Sequence, residues 1–123
     1  MKLTELEIQA YETYIKEYDF SEYLYNKTVL VTGSKGIIGS GLIRWILLSN
    51  EKFGTNTHII ASSRNPDRIP EYIDPDDNIS FCRFGEEGRI QDKVDFIIHT
   101  AAPTSNKVFK EQPVESLRAI IDG

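Results

Sequence analysis

The sequence predicts an α/β fold built on a parallel sheet, and three observations carry that expectation. Thr28-Val29-Leu30-Val31-Thr32 is short, β-branched and apolar on both faces, as a parallel strand covered on both sides must be. It runs directly into a glycine-rich stretch, Gly33-Ser34-Lys35-Gly36-Ile37-Ile38-Gly39-Ser40-Gly41, which leads into an apolar helical run. Further strand-like segments then follow, joined by polar or helical connections, the layout of a parallel α/β sheet.

Taken in order, Thr4-Glu5-Leu6-Glu7 has the capping-box pattern that opens a helix. Leu3, Leu6, Ala10, Tyr14 and Tyr18 recur three or four residues apart, so an amphipathic helix of about four turns is expected there. Its tyrosine-bearing face is expected against the body or a partner. The strand at 28–32 comes next. After the glycine-rich turn, Leu42 to Leu48 is apolar almost all round, which predicts a deeply buried helix. Asn50 to Asn56 reads as a polar connection, and His58-Ile59-Ile60-Ala61 as the second strand. Residues 65–78 contain Pro66, Pro70 and Pro75 with five acids and are expected to form no regular element. Ile79 to Phe84 is the third strand and Val94 to His99 the fourth. Pro113 opens a final helix carrying Val114, Leu117, Ile120 and Ile121 at helical spacing. Right-handed crossovers order the strands 3-2-1-4. A ligand is then expected above the C-terminal ends of strands 1 and 4, where the order reverses.

Composition narrows the function. The chain has 123 residues and a formal charge of −5, the wrong sign for a general nucleic-acid binder. The single cysteine, Cys82, permits no internal disulfide and no Cys-rich zinc site; a reducing, cytoplasmic setting is expected. Cys82 itself is expected to be a small buried hydrophobe of the third strand. His58 and His99 stand apart without a third ligand, so neither a metal site nor a catalytic histidine is expected. No apolar run approaches the roughly 20 residues of a membrane span, and the acidic N-terminus is not a signal peptide. Charge is uneven. Residues 1–26 hold six acids and two lysines, whereas the other 97 hold 13 acids and 12 bases. Five of the six tyrosines also lie before residue 27. The division is therefore an acidic, Tyr-rich helical extension over 1–26 and a nearly neutral body over 27–123.

The chemistry centres on Thr32-Gly33-Ser34-Lys35-Gly36-Ile37-Ile38-Gly39, a G-x-x-G-x-x-G variant of the dinucleotide fingerprint. Gly33 suits the positive φ of a sharp strand-to-helix turn. Gly36 lets a pyrophosphate approach the backbone, and Gly39 lets the helix pack closely on the strand. Backbone N–H groups near Gly36, Ile37 and Ile38 point at the anion, assisted by the helix dipole. The buried strand before and the apolar helix after supply the context such a motif needs. A Walker-type ATP loop is disfavoured, since Lys35 precedes Gly36 and no Gly-Lys-Ser/Thr closes the motif. At the end of strand 2 the chain reads Ala61-Ser62-Ser63-Arg64-Asn65, without the carboxylate that usually holds the ribose of NAD. Ser62 and Ser63 suit hydrogen bonding to a 2′-phosphate and Arg64 suits ion pairing with it, so NADP is slightly favoured. Arginine stacked on adenine also occurs with NAD, which stays open.

TGSKGIIG, followed by His99-Thr100-Ala101-Ala102-Pro103, resembles the extended short-chain dehydrogenase/reductases, the NAD(P)-dependent epimerases and dehydratases. The resemblance covers residues 27–123 and implies a Rossmann-like fold. It implies that Ala101 and Ala102, with Thr100 and Pro103 adjoining, line the cofactor beside the nicotinamide ribose. It implies hydride transfer on a sugar, often a nucleotide sugar, by a Tyr-x-x-x-Lys pair that the family places beyond this length. The body is accordingly expected to be about a third of a larger enzyme, cut inside or just after the helix following strand 4. No catalytic residue is assigned and no turnover is expected of this chain alone. The one literal match, Tyr23 to Lys27, enters strand 1 from the end opposite the cofactor and is rejected. Two departures from the family pattern stand out. Arg83-Phe84-Gly85-Glu86-Glu87 after strand 3 lacks the usual Asp, for which Glu86 is at best a substitute, and Ala119-Ile120-Ile121 lacks the usual helical Asn. The competing expectation is a non-catalytic nucleotide-binding or protein-interaction module that uses the Tyr-rich extension. A homo-oligomer is expected through an exposed strand 4 edge, carrying Phe96, Ile97 and Ile98, or through the N-terminal helix.

Overall fold

The computed structural model describes residues 1–83 and 93–100. Its elements are α1 (Glu5–Glu17), α2 (Ser21–Leu24), β1 (Thr28–Thr32), α3 (Ile37–Phe53), β2 (His58–Ser63), β3 (Ile79–Arg83) and β4 (Phe96–His99). The four strands form one sheet in the order β3-β2-β1-β4. Every pairing is parallel, with Thr28 opposite His58, Val29 opposite Phe96 and Ile59 opposite Ile79. The fold is Rossmann-like α/β with an added N-terminal helix. The expected strand order is the observed one.

β1 occupies the interior because both its faces are apolar. Val29 and Val31 join Ile59 and Ala61 of β2 against Ile43, Ile46 and Leu47 of α3, while Leu30 and Ile60 are buried on the opposite sheet face. Burial of each such side chain contributes about 1.5–3 kcal/mol relative to exposure. The flanking strands β3 and β4 are paired on one side only among the described residues, and their side chains are half-buried or exposed. Cys82 follows from this position. It is half-buried on β3 and not the enclosed hydrophobe expected, because β3 has no second neighbouring strand among the described residues to cover it.

Thr4 caps α1, its Oγ1 accepting the Glu7 N–H at 3.3 Å. α1 turns Ile15 to the body, whereas Leu6, Ala10, Tyr14 and Tyr18 of the expected stripe are exposed, although Tyr14 still touches the body at one ring edge. Tyr14 meets the Trp45 ring edge-on with centroids 6.4 Å apart, and Phe20 does so at 6.0 Å. Ile15 is buried, and Glu12 pairs with Lys52 of α3 at 2.6 Å. The short helix α2 was not anticipated.

α3 extends further than its apolar run. The stretch 50–53, expected as a polar connection, is its last turn. Gly54 ends it in the left-handed conformation, φ 60°, and returns its N–H to the Asn50 carbonyl at 3.0 Å. Asn50 then holds Thr57 from both sides, Nδ2 donating to the Thr57 carbonyl at 2.9 Å and Oδ1 accepting the Thr57 N–H at 2.8 Å. Leu42 to Leu48 are buried or half-buried throughout, whereas Ile37 is 94% exposed and Ile38 is exposed beside it, ahead of that run.

The proline-rich segment 65–78 has turns but no helix or strand, as expected. It nonetheless packs. The Lys2 N–H donates to the Tyr72 carbonyl at 2.7 Å, and the Arg44 guanidinium lies 4.4 Å over the Tyr72 ring. The Met1 amine donates to Glu51 at 2.9 Å, to Asp77 at 3.3 Å and to Asp74. No helix among the described residues is long and apolar enough to cross a membrane.

Candidate functional site

The sheet order reverses between β1 and β4, and the glycine-rich turn leaves the C-terminal end of β1 at that point. Gly33 has φ 66°, the left-handed conformation that a turn this sharp requires. Gly36 is the N-cap of α3, and its N–H donates back to the Gly33 carbonyl at 3.0 Å. That bond occupies one of the donors expected to face an anion. The first hydrogen bond of the helix runs from the Ser40 N–H to the Gly36 carbonyl at 2.9 Å. The N–H groups of Ile37, Ile38 and Gly39 therefore precede the intrahelical ladder, at the positive end of the helix dipole.

Gly39 is where space is tightest. A Cβ there would lie 2.3 Å from the Gly33 carbonyl oxygen and 2.9 Å from Thr100 Oγ1. A Cβ on Gly36 would lie 3.3 Å from the same Gly33 oxygen. The turn is thus folded onto the helix so closely that glycine is needed where helix, turn and end of β4 converge.

The neighbouring strand ends are fastened to the turn. The Ser34 N–H donates to the Ser62 carbonyl at 3.0 Å, and Lys35 Nζ donates to the Asn65 carbonyl. Turn and β2 end are therefore tied together, and Lys35 reaches the loop that carries Arg64. Ser62 is fully buried in register with Thr32, whereas Arg64 is exposed. Ser63 is 6% exposed, and its hydroxyl is buried without a hydrogen-bond partner. On the other side of β1, Thr32 Oγ1 lies 2.6 Å from His99 Nδ1 and accepts the Thr100 N–H at 3.1 Å. The Thr100 hydroxyl donates in turn to the Thr32 carbonyl. This clasp between Thr32, His99 and Thr100 was missed in the sequence. Only the parallel register of β1 and β4 brings residues 67 and 68 positions apart into contact.

Chain comparisons give no match to a family model, to a curated protein or to a solved structure. The site is therefore described by its own geometry. Of the candidate cofactor residues, Gly33, Ser34, Lys35, Gly36, Ile37, Ile38 and Gly39 form one turn, Ser62, Ser63 and Arg64 border it on one side, and Thr100 borders it on the other. Ala101, Ala102, Pro103 and Glu86 lie outside the described residues, as does the helix expected after Pro113. Tyr23 and Lys27 lie before β1, at the opposite end from the turn, where the Lys27 N–H bonds the Leu24 carbonyl at 3.0 Å.

Proposed function

We propose that this chain binds a nicotinamide dinucleotide, as the cofactor-binding part of an extended short-chain dehydrogenase/reductase acting on a nucleotide sugar. The observation that carries the proposal is the approach of Gly39 to Gly33, where a Cβ would lie 2.3 Å from a carbonyl oxygen. Such closeness sets the start of α3 against the end of β1, where the sheet order reverses. The pyrophosphate would accept from the N–H groups of Ile37, Ile38 and Gly39. Arg64 would pair with a 2′-phosphate, and the unpartnered hydroxyl of Ser63 stands at the same strand end. NADP is favoured over NAD on those grounds. When bound, the cofactor supplies a hydride acceptor for a sugar hydroxyl. Thr100, held by the Thr32 carbonyl, would border it beside β4. The single Cys82 supports a reducing, cytoplasmic setting.

Calorimetric titration with NADP and with NAD tests the proposal. NADP is expected to bind more tightly, and Arg64→Gln to remove the difference while leaving NAD affinity in place. Failure of both dinucleotides to bind would refute the proposal, and tighter NAD binding would refute its NADP preference.

A further inference from the structure

A cavity lies beside the glycine turn, on the flank of α3 that faces the 65–78 segment. Its volume is about 1070 Å³, and it is walled by the glycine turn, by Ser40 and Arg44 of α3, by the N-terminal residues and by Tyr72 with its neighbours. That is ample for a small organic molecule, whose sites commonly run to several hundred Å³.

Arg44 is the group without an explanation. Its guanidinium stacks on the Tyr72 ring at 4.4 Å, yet its Nε is buried and bonds nothing. The Tyr72 hydroxyl is likewise buried without a partner. Arg44 also has no ion pair among the described residues, although Glu7 and Glu71 share its cavity. A buried donor left unsatisfied costs about 1–3 kcal/mol, more when charged. Two such donors beside one cavity mark a place where an acceptor belongs. Burial pushes the Tyr72 hydroxyl above its ordinary range, so it stays a donor at neutral pH.

We propose that this cavity binds a small organic carboxylate, with its carboxylate on Arg44 and its apolar body against Tyr72, Ile69 and Ile73. Charge selects the head group. The lining carries Lys2, Lys35 and Arg44 against Glu7 and Glu71, an excess of one positive charge, which a single carboxylate balances. Shape agrees with charge, because a guanidinium offers parallel N–H donors that match a carboxylate in bidentate fashion. The buried Nε would be one of that pair. The walls supplied by Ile69, Pro70 and Ile73 favour a ligand with an aromatic or aliphatic body over a bare anion. The cavity shares Ser34 and Lys35 with the dinucleotide proposal, but Arg44 and Tyr72, which carry the carboxylate reading, take no part in it.

Phenylacetate is a suitable probe, followed by nuclear magnetic resonance of the whole chain. Saturable shifts are expected at the Arg44 Nε–H and at the amides of residues 69–73, with inorganic phosphate giving weaker binding. Arg44→Gln should weaken phenylacetate at least about tenfold and leave NADP affinity unchanged. Should that variant unfold, Arg44→Lys keeps the stem and the charge but loses the planar donor pair, and should still weaken binding severalfold. Tyr72→Phe should weaken it while preserving the stacked ring. No saturable shift, or equal binding by the Arg44 variants, would each overturn the proposal.

Discussion

Gly39 sets the tolerance of the turn. Adding one methyl group would bring it within 2.3 Å of the Gly33 carbonyl oxygen, and backbone, unlike a flexible side chain, cannot step aside. Gly39→Ala is expected to destabilise the fold by about 1–3 kcal/mol, the range for overpacking a well-filled site. Urea denaturation would measure this. A Gly39→Ala midpoint equal to that of the parent would refute the claimed contact. The Met1 amine is a second residue with a definite consequence. Its pKa is raised from 8.0 to about 10, by hydrogen bonds to Asp74, Glu51 and Asp77 that outweigh the largest single influence, desolvation. Asp74 is held below its ordinary range, chiefly by its hydrogen bond with that amine. For a raised amine, the stabilisation is fully present below the unfolded value of 8.0 and is lost as pH rises through about 10. For the lowered Asp74, it is present above the ordinary value of 3.8 and is lost as pH falls. Parent and Asp74→Asn should therefore differ in urea midpoint at neutral pH and converge above pH about 10. A constant difference across that range would remove the amine from the account.

At the scale of elements, α1 is attached to the body through buried Ile15, the edge of Tyr14 on Trp45 and one ion pair, Glu12 with Lys52, while Phe20 beyond its end adds a second edge on Trp45. Edge-to-face pairs contribute about 0.5–1.5 kcal/mol each beyond area burial. Tyr14→Ala should accordingly loosen α1 without unfolding the sheet. Limited proteolysis is expected to cut the variant within residues 5–17 first, leaving a body that still melts cooperatively. Loss of the whole fold at once would show α1 to be integral to the core. The end of α3 makes the opposite point. Polar residues 50–53 look like a loop, but the left-handed Gly54 and the two-sided hold of Asn50 on Thr57 keep them helical. Polarity there reports the solvent-facing last turn of a helix. Period and composition do not separate that from a connection.

For the whole molecule, β4 is the consequential element. Among the described residues it pairs only with β1, and Ile97 is 64% exposed. A strand edge with exposed apolar side chains is a template for pairing with another chain. We expect a homo-oligomer formed through this edge. Ile97→Lys, which places a charge on the edge, should shift the species seen by light scattering toward the monomer. A parent that is monomeric at high concentration would refute the expectation. Ile97 is not among the residues assigned to the glycine turn or to the cavity beside Arg44, so this substitution should leave ligand binding there intact.

The sequence by itself determined the parallel sheet, its 3-2-1-4 order and the glycine turn. Those follow from local signals: a strand apolar on both faces, glycines at fixed spacing, and a crossover rule that holds for any such chain. Thr4 as a cap and the irregularity of 65–78 were legible for the same reason. Only the tertiary structure decided the clasp of Thr32, His99 and Thr100, the exposure of Ile37 and Ile38, the half-burial of Cys82 and the place of Arg44 on Tyr72. Each depends on which residues face one another across strands or from a loop with no period. A one-dimensional pattern records the chemistry of a side chain but not the neighbour that completes it.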